Sequence, residues 1–240
     1  MHFCISFGLA ALAALLVFVI WYPYPYREIS GGRELFLIVV AVDVILGPLI
    51  TLAIFNRRKP WSELRRDLAV VALLQLAGLG YGLSAVYLAR PVHLVFEVDR
   101  FRVVHAVDVP IDLMDKIPGG INAMPLGGPT MLAVRPFKSQ KEGVDATLAA
   151  LSGISLASRP DLWRSYESAR PDVLVAAKPI AALLAKFPKE APSINAAVQA
   201  TGRSADKLAY LPMVGRKQFW TVLIDAQTAQ VLGFMPLDSF

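Results

Sequence analysis

NRRKPWSELRRD, residues 56–67, places Arg57, Arg58, Lys59, Arg65 and Arg66 between two apolar runs. Each run has about 20 residues, enough to cross a bilayer as a helix. A short loop this rich in Lys and Arg is retained on the cytoplasmic side, because these side chains resist translocation. One further apolar run precedes both. The sequence therefore predicts a membrane protein: three transmembrane α-helices over about 3–22, 35–55 and 68–88, followed by an extracytoplasmic α+β domain. In this reading residues 1–90 form the membrane domain, with 56–67 as its cytoplasmic loop. Residues 91–240 form the exported domain.

Composition agrees with a membrane-embedded part. The 240 residues are 55 % hydrophobic, and the mean hydropathy is +0.51, more apolar than an ordinary soluble domain. The excess is concentrated before Arg90. The formal net charge of +5 is one footprint of a nucleic-acid partner. Much of it sits in the 56–67 loop, where topology explains it, and no basic stripe with interleaved aromatics follows. Nucleic acid is therefore not expected as a partner. The single cysteine, Cys4, excludes an intramolecular disulfide, so the exported part must rely on its own core.

Flanking residues refine the topology. A cleavable signal peptide needs a basic start and a small-x-small site after its apolar stretch. Here only His2 precedes the run and WYPYPYRE follows it, which predicts an uncleaved anchor with a cytoplasmic N-terminus. Trp21, Tyr22, Tyr24 and Tyr26 suit an aromatic belt at the outer interface. Arg27, Glu28, Arg33 and Glu34 cancel, in contrast to the basic loop.

After Pro91 the pattern turns to period two. Val92, Leu94, Phe96 and Val98 alternate with His93, Val95, Glu97 and Asp99, and Phe101-Arg-Val-Val104 follows. This predicts a hairpin turning at Asp99-Arg100. A loop-rich stretch spans 110–129, with a strand at 131–134. Helical patterns occupy 141–151, 159–168 and 171–187, with a short helix at 192–200. Residues 218–224 and 229–235 read as a terminal hairpin around Asp225-Ala-Gln-Thr228.

Asp43 is the sharpest single residue. It lies about 12 Å inside the outer end of the second run, by helix rise. A carboxylate there is costly unless it faces protein, pairs or stays protonated. Tyr81 falls at a similar depth and Gln75 deeper. An internal helix lock, a contact to a partner's transmembrane helix, and a proton relay all remain open. Gly47-Pro48 predicts a kink. Gly78, Gly80 and Gly82 include a G-x-x-x-G pair that permits close helix contact, within the bundle or with a partner. Asp43, Gln75, Gly78, Tyr81 and Gly82 are thus the candidate partner-helix contacts.

Catalytic constellations are scarce. His2, His93 and His105 lack the spacing of a metal site. Asp108, Asp112 and Asp115 read as a solvated turn. Gly119-Gly120 and Gly127-Gly128 read as mobile loop rather than an anion cradle. No G-x-S-x-G, P-loop or H-E-x-x-H occurs, so neither an enzyme nor a cofactor is expected.

The strings WYPYPY (21–26), GGRELF (31–36), DVILGPLITLAIFN (43–56), RRDLAVVALLQLAGLGYGL (65–83) and ARPVHLVFEVDRFRVV (89–104) resemble the type IV pilin accessory proteins of the TfpX/TfpZ group. The resemblance covers roughly the first 105 residues. It implies a non-enzymatic inner-membrane protein that helps a major pilin become surface pili, with a periplasmic C-terminal domain. The pilin's transmembrane helix and head would be its partners, beside the lipid bilayer. Asp43 and Gln75 would meet the helix, and the 92–104 hairpin edge or the terminal strands the head, by strand addition. The resemblance carries no catalytic residues. A membrane-anchored periplasmic ligand-binding or sensor module is the competing expectation, weakened by how little of the chain is left for the cytoplasm.

Overall fold

The computed structural model describes residues 2–41, 49, 50, 52 and 60–240. Asp43, Gly47, Pro48 and the 57–59 part of the basic loop lie outside the described residues. The chain divides into two units, residues 1–90 and 91–240.

In the first unit, α1 (His2–Leu15) continues as a π-helical segment, Leu16–Trp21. The short α2 (Tyr26–Ile29), α3 (Gly32–Val40) and α4 (Trp61–Leu88) follow. Ala13, Val17, Tyr22, Phe36 and Val86 form its core. The Tyr22 hydroxyl donates to the Val86 carbonyl at 3.1 Å. The pair Gly31-Gly32 makes this packing possible. Gly31 takes φ +75°, which favours glycine, and a Cβ on Gly32 would stand 2.4 Å from the Tyr22 ring.

The expectation of three transmembrane helices is corrected here. Among the described residues only α4 is long and apolar enough to cross a membrane. The first apolar helical run, Phe7–Trp21, is shorter, and α3 has nine residues. Apolar composition alone does not distinguish a spanning surface from side chains used inside the unit. Val17, Tyr22 and Phe36 serve the second purpose. The aromatic run changes its role for the same reason. Tyr22 and Tyr26 are buried, Trp21 packs on Tyr87 at 5.2 Å between ring centroids, and only Tyr24 is well exposed.

The second unit is α+β. Its strands are β1 (Pro91–Glu97), β2 (Arg100–His105), β3 (Thr130–Val134), β4 (Trp163–Ser165), β5 (Lys178–Pro179), β6 (Leu208–Val214), β7 (Phe219–Asp225) and β8 (Val231–Met235). They form one eight-stranded sheet in the order β4-β3-β1-β2-β6-β7-β8, with β5 also on β6. The helices are α5 (Gln140–Leu151), α6 (Tyr166–Ala176), α7 (Ile180–Lys186) and α8 (Ala191–Ala200).

Both predicted hairpins form. The first turns at Val98-Asp99, one residue earlier than expected, because Glu97 pairs with Arg100 and Val98 takes φ 58°. In the second, the Asp225 carboxylate accepts the N–H groups of Gln227 and Thr228, both at 2.9 Å. The predicted helix over 171–187 is divided. Lys178 precedes Pro179, a position biased against helix, and the chain there forms β5 before α7 begins. The predicted helix over 159–168 is a 3-10 turn, then β4, and only from Tyr166 an α-helix.

β6 was not anticipated, yet it joins the sheet's two halves. It pairs with β7 along its length, with β5 at Ala209 and Tyr210, and with β2 at Met213 and Val214. Pro212 falls between these last two neighbours, where its missing N–H disrupts no ladder. One core, including Val92, Val95, Val104, Leu132 and Trp163, lies under the first half. Another, including Ile180, Leu183, Ile194, Leu208 and Leu223, lies under the second.

Candidate functional site

Helix α4 has two unlike faces. Leu64, Val71 and Val86 are buried, with Leu68, Gln75, Leu79, Gly82 and Leu83 half-buried on the same side. The opposite side carries Leu73, Leu74, Leu76 and Tyr81, all exposed, with Tyr81 at 79 %, and Gly78 is exposed at the edge between the two sides. Nothing lies within 4 Å of a Cβ built on Gly78 or Gly80. An outward apolar face with open glycines offers the close backbone approach that helices use in lipid. The structure thus separates the expected contact residues. Tyr81 lies on the open side and Gln75 and Gly82 on the packed side, while exposed Gly78 borders both, one turn before Gly82 and three residues before Tyr81. The expected Asp43–Tyr81 pairing lies outside the described residues.

The second feature is a cleft of about 420 Å³ at the end of β2. His105, Asp108, Arg102, Ser155 and Arg216 are among the residues that line it. The sequence draws these residues together through a reciprocal cap. Asp108 Oδ2 accepts from the His105 backbone N–H at 3.1 Å and lies 3.0 Å from His105 Nδ1. Asp108 Oδ1 accepts from Arg216 Nη2 at 2.9 Å. Burial pushes the Asp108 carboxyl up, but the hydrogen bonds from His105 and the Arg216 charge outweigh it. The group is held below its usual range.

His105 is buried, and its Nε2 has no hydrogen-bond partner among the described residues. Beside it, Ser155 and Ser158 bond each other at 2.8 Å. On the cleft's other side, Arg102 Nε donates to Glu97 Oε1 at 2.5 Å. Glu97 Oε2 also accepts the Ala157 N–H at 3.0 Å. The cleft is a wall of mutually oriented ion pairs with guanidinium donors to spare, fit for recognising polar groups.

Period-two alternation sets Glu97 on the face opposite Val92, Leu94 and Phe96, and Asp108 reads as part of a solvated turn. Strand alternation failed because β1 is buried along its whole length. His93 shows the consequence. Its Nδ1 meets Thr130 Oγ1 at 2.8 Å and its Nε2 meets the Ala123 carbonyl at 3.1 Å. Burial brings its pKa down to about 4. The S-x-x-S spacing of Ser155 and Ser158 and the H-x-x-D of His105 and Asp108 were the available signals for these local caps. Among the described residues no group of three or more His, Cys, Asp or Glu side chains gathers to hold a metal.

Comparison with known proteins adds a lineage. A family profile described as fimbrial assembly protein FimB matches residues 1–31. Over 241 aligned residues the chain is 33 % identical to a fimbrial assembly protein of Dichelobacter nodosus, serogroup I, covering 100 % of this chain and 93 % of that one. The serogroup E1 protein of the same organism is 32 % identical with the same coverage. The protein of serogroups C1 and C2 is 40 % identical over 117 residues, which is 49 % of this chain and 87 % of its own length. No solved structure matches. With full-length similarity at this level, the chain belongs to the family of fimbrial assembly proteins.

Proposed function

We propose that the protein is a non-enzymatic accessory factor for type IV pili, of the TfpX/TfpZ kind. It binds the major pilin in the inner membrane and promotes its stability, assembly or display. The observation that carries this reading is the outward face of α4, an apolar surface with Tyr81 exposed on it and Gly78 open one turn before at its edge. On a helix able to cross a bilayer, such a face suits a second helix.

Orientation follows from charge. Arg65 and Arg66 on α4, with Arg57, Arg58 and Lys59 just before it in sequence, hold that end of the helix in the cytoplasm. Its other end then leads into residues 91–240 on the periplasmic side. The protein thereby presents a helix within the bilayer and a folded domain outside it, and a pilin with a membrane helix and an exported head has matching parts.

Affinity purification from native membranes in mild detergent tests this. The major pilin is expected to co-purify with the wild-type chain and to be lost with Gly78→Leu. Normal piliation in a clean deletion strain would overturn the proposal.

A further inference from the structure

Strands β2 and β6 are parallel neighbours, yet they pair only at Phe101–Met213 and Arg102–Val214. Beyond that point their chains leave in opposite directions. β2 runs on to His105 and leads toward β3, on the far side of β1, whereas β6 turns back through Gly215 into β7. Adjacent parallel strands that part in this way open a crevice at their carboxyl ends, and such crevices are where open α/β sheets hold ligands. The cleft of about 420 Å³ lies here, with Ser152, Ile154 and Ser155 of the segment after α5 as its third wall. Its volume suits a small organic molecule.

The polar groups of the cleft divide unequally. Every carboxylate oxygen beside it already accepts a bond. Glu97 Oε1 takes Arg102 Nε, and Oε2 takes the Ala157 N–H. Asp108 Oδ1 takes Arg216 Nη2, and Oδ2 takes the His105 N–H. The donors are not used up. Arg102 commits only Nε and Arg216 only Nη2, which leaves two nitrogens of each guanidinium without a partner among the described residues. A guanidinium presents such donors in a fixed fork that matches the oxygens of a carboxylate or a phosphate.

His105 adds a third group to the same wall. Its Nδ1 faces the ionised Asp108, which can only accept, so Nδ1 carries a proton. Nε2 is then a buried polar atom with no partner among the described residues, a costly state unless something in the cleft meets it. Val103 and Val214 supply an apolar part of the lining.

We propose that this cleft binds a small organic oxyanion, a carboxylate or phosphate on a short aliphatic body, held by Arg102 and Arg216 with His105 beside them. The site is separate from the open face of α4 and does not depend on pilin binding.

Isothermal titration calorimetry on the full chain in detergent tests this with isovalerate, isobutyl phosphate and the neutral isostere isovaleramide. At least one anion is expected to bind about tenfold or more tightly than the amide, and the better anion identifies the ligand as carboxylate or phosphate. Val107 stands on the cleft rim, 62 % exposed and outside these ion pairs. Val107→Glu should weaken the anion by about threefold and Val107→Lys strengthen it by a similar factor, the scale of a solvated charge pair. Arg216→Gln should abolish the preference for anion over amide, and Arg216→Lys should restore only part of it, since the charge returns without the fork. The chain has three histidines, so NMR with labelled histidine isolates His105 by comparison with His105→Gln. Its Nε2 resonance should move as the anion binds, while that of His93 stays. No binding of either organic anion, equal binding of the amide, or an anion affinity indifferent to Val107→Glu and Arg216→Gln would overturn the inference. So would binding of inorganic phosphate alone, which would mark an adventitious ion only.

Discussion

Glu97 and Arg102 face each other across the β1–β2 hairpin, with Glu97 Oε1 2.5 Å from Arg102 Nε. The same carboxylate holds the Ala157 N–H at 3.0 Å. One buried acid thus ties the hairpin tip to the loop that follows α5.

Glu97→Gln keeps the shape but removes the charge that balances Arg102. Breaking a buried pair costs about 3–5 kcal/mol, and the partial exposure of Arg102 brings this to about 2 kcal/mol. Denaturant unfolding should show that loss. Hydrogen exchange at Ala157 should accelerate well before global unfolding, because the loop loses its anchor. Unchanged exchange at Ala157 would mean that the acid does not fasten the loop.

His93 predicts the acid sensitivity of the second unit. Its folded pKa of about 4 lies below the value of about 6.5 for an unfolded histidine. The unfolded chain therefore binds more protons between these values, and stability rises with pH across that window. The contribution is full above pH 6.5 and is lost as pH falls toward 4, by about 3 kcal/mol in all. Trp163, whose ring lies 4.6 Å from that of His93, can report the transition by fluorescence. His93→Leu should flatten the pH profile while lowering stability at pH 7, since Thr130 and Ala123 lose their partner. A profile as steep as that of the wild type would place the titration elsewhere.

Gly32→Ala should damage the first unit. The new methyl group would collide with the Tyr22 ring and displace the hydroxyl that bonds Val86. A loss of about 1–3 kcal/mol is expected from overpacking, read as a lower midpoint of thermal inactivation in detergent. Tyr22→Ala should partly rescue Gly32→Ala by removing the collision.

Tyr166 donates its buried hydroxyl to the Ala229 carbonyl at 2.6 Å. Ala229 holds φ 57° in the turn between β7 and β8, a conformation that most residues avoid. Tyr166→Phe should cost about 1 kcal/mol and loosen that turn, visible as faster amide exchange at Gln230. Wild-type exchange there would show that Asp225 alone sets the turn.

Local signals were legible where one interaction decides the structure. Asp225 capping its own turn and the alternation in β7 made the terminal hairpin readable. For α5 the helical pattern alone marked 141–151, and the cap that starts the helix, the Ser139 hydroxyl accepting the Glu142 N–H at 3.1 Å, lies just before it. The failures share another cause. β1 lies in mid-sheet and is covered on both faces, so His93 and Glu97, polar by type, are buried by position. β6 contains a proline and owes its place to three neighbours distant in sequence. The apolar runs before residue 60 gave the same composition signal as α4, but residues such as Val17 and Phe36 are used for internal packing.

The central claim is that the open face of α4 meets pilin inside the membrane. A photoactivatable cross-linker replacing Tyr81 in living cells measures this most directly, with the same group replacing half-buried Leu79 as the control. The account predicts an irradiation-dependent adduct from position 81 with the mass of this chain plus one pilin, and a much weaker one from position 79. Adducts only to lipid, or equal pilin adducts from both positions, would contradict it.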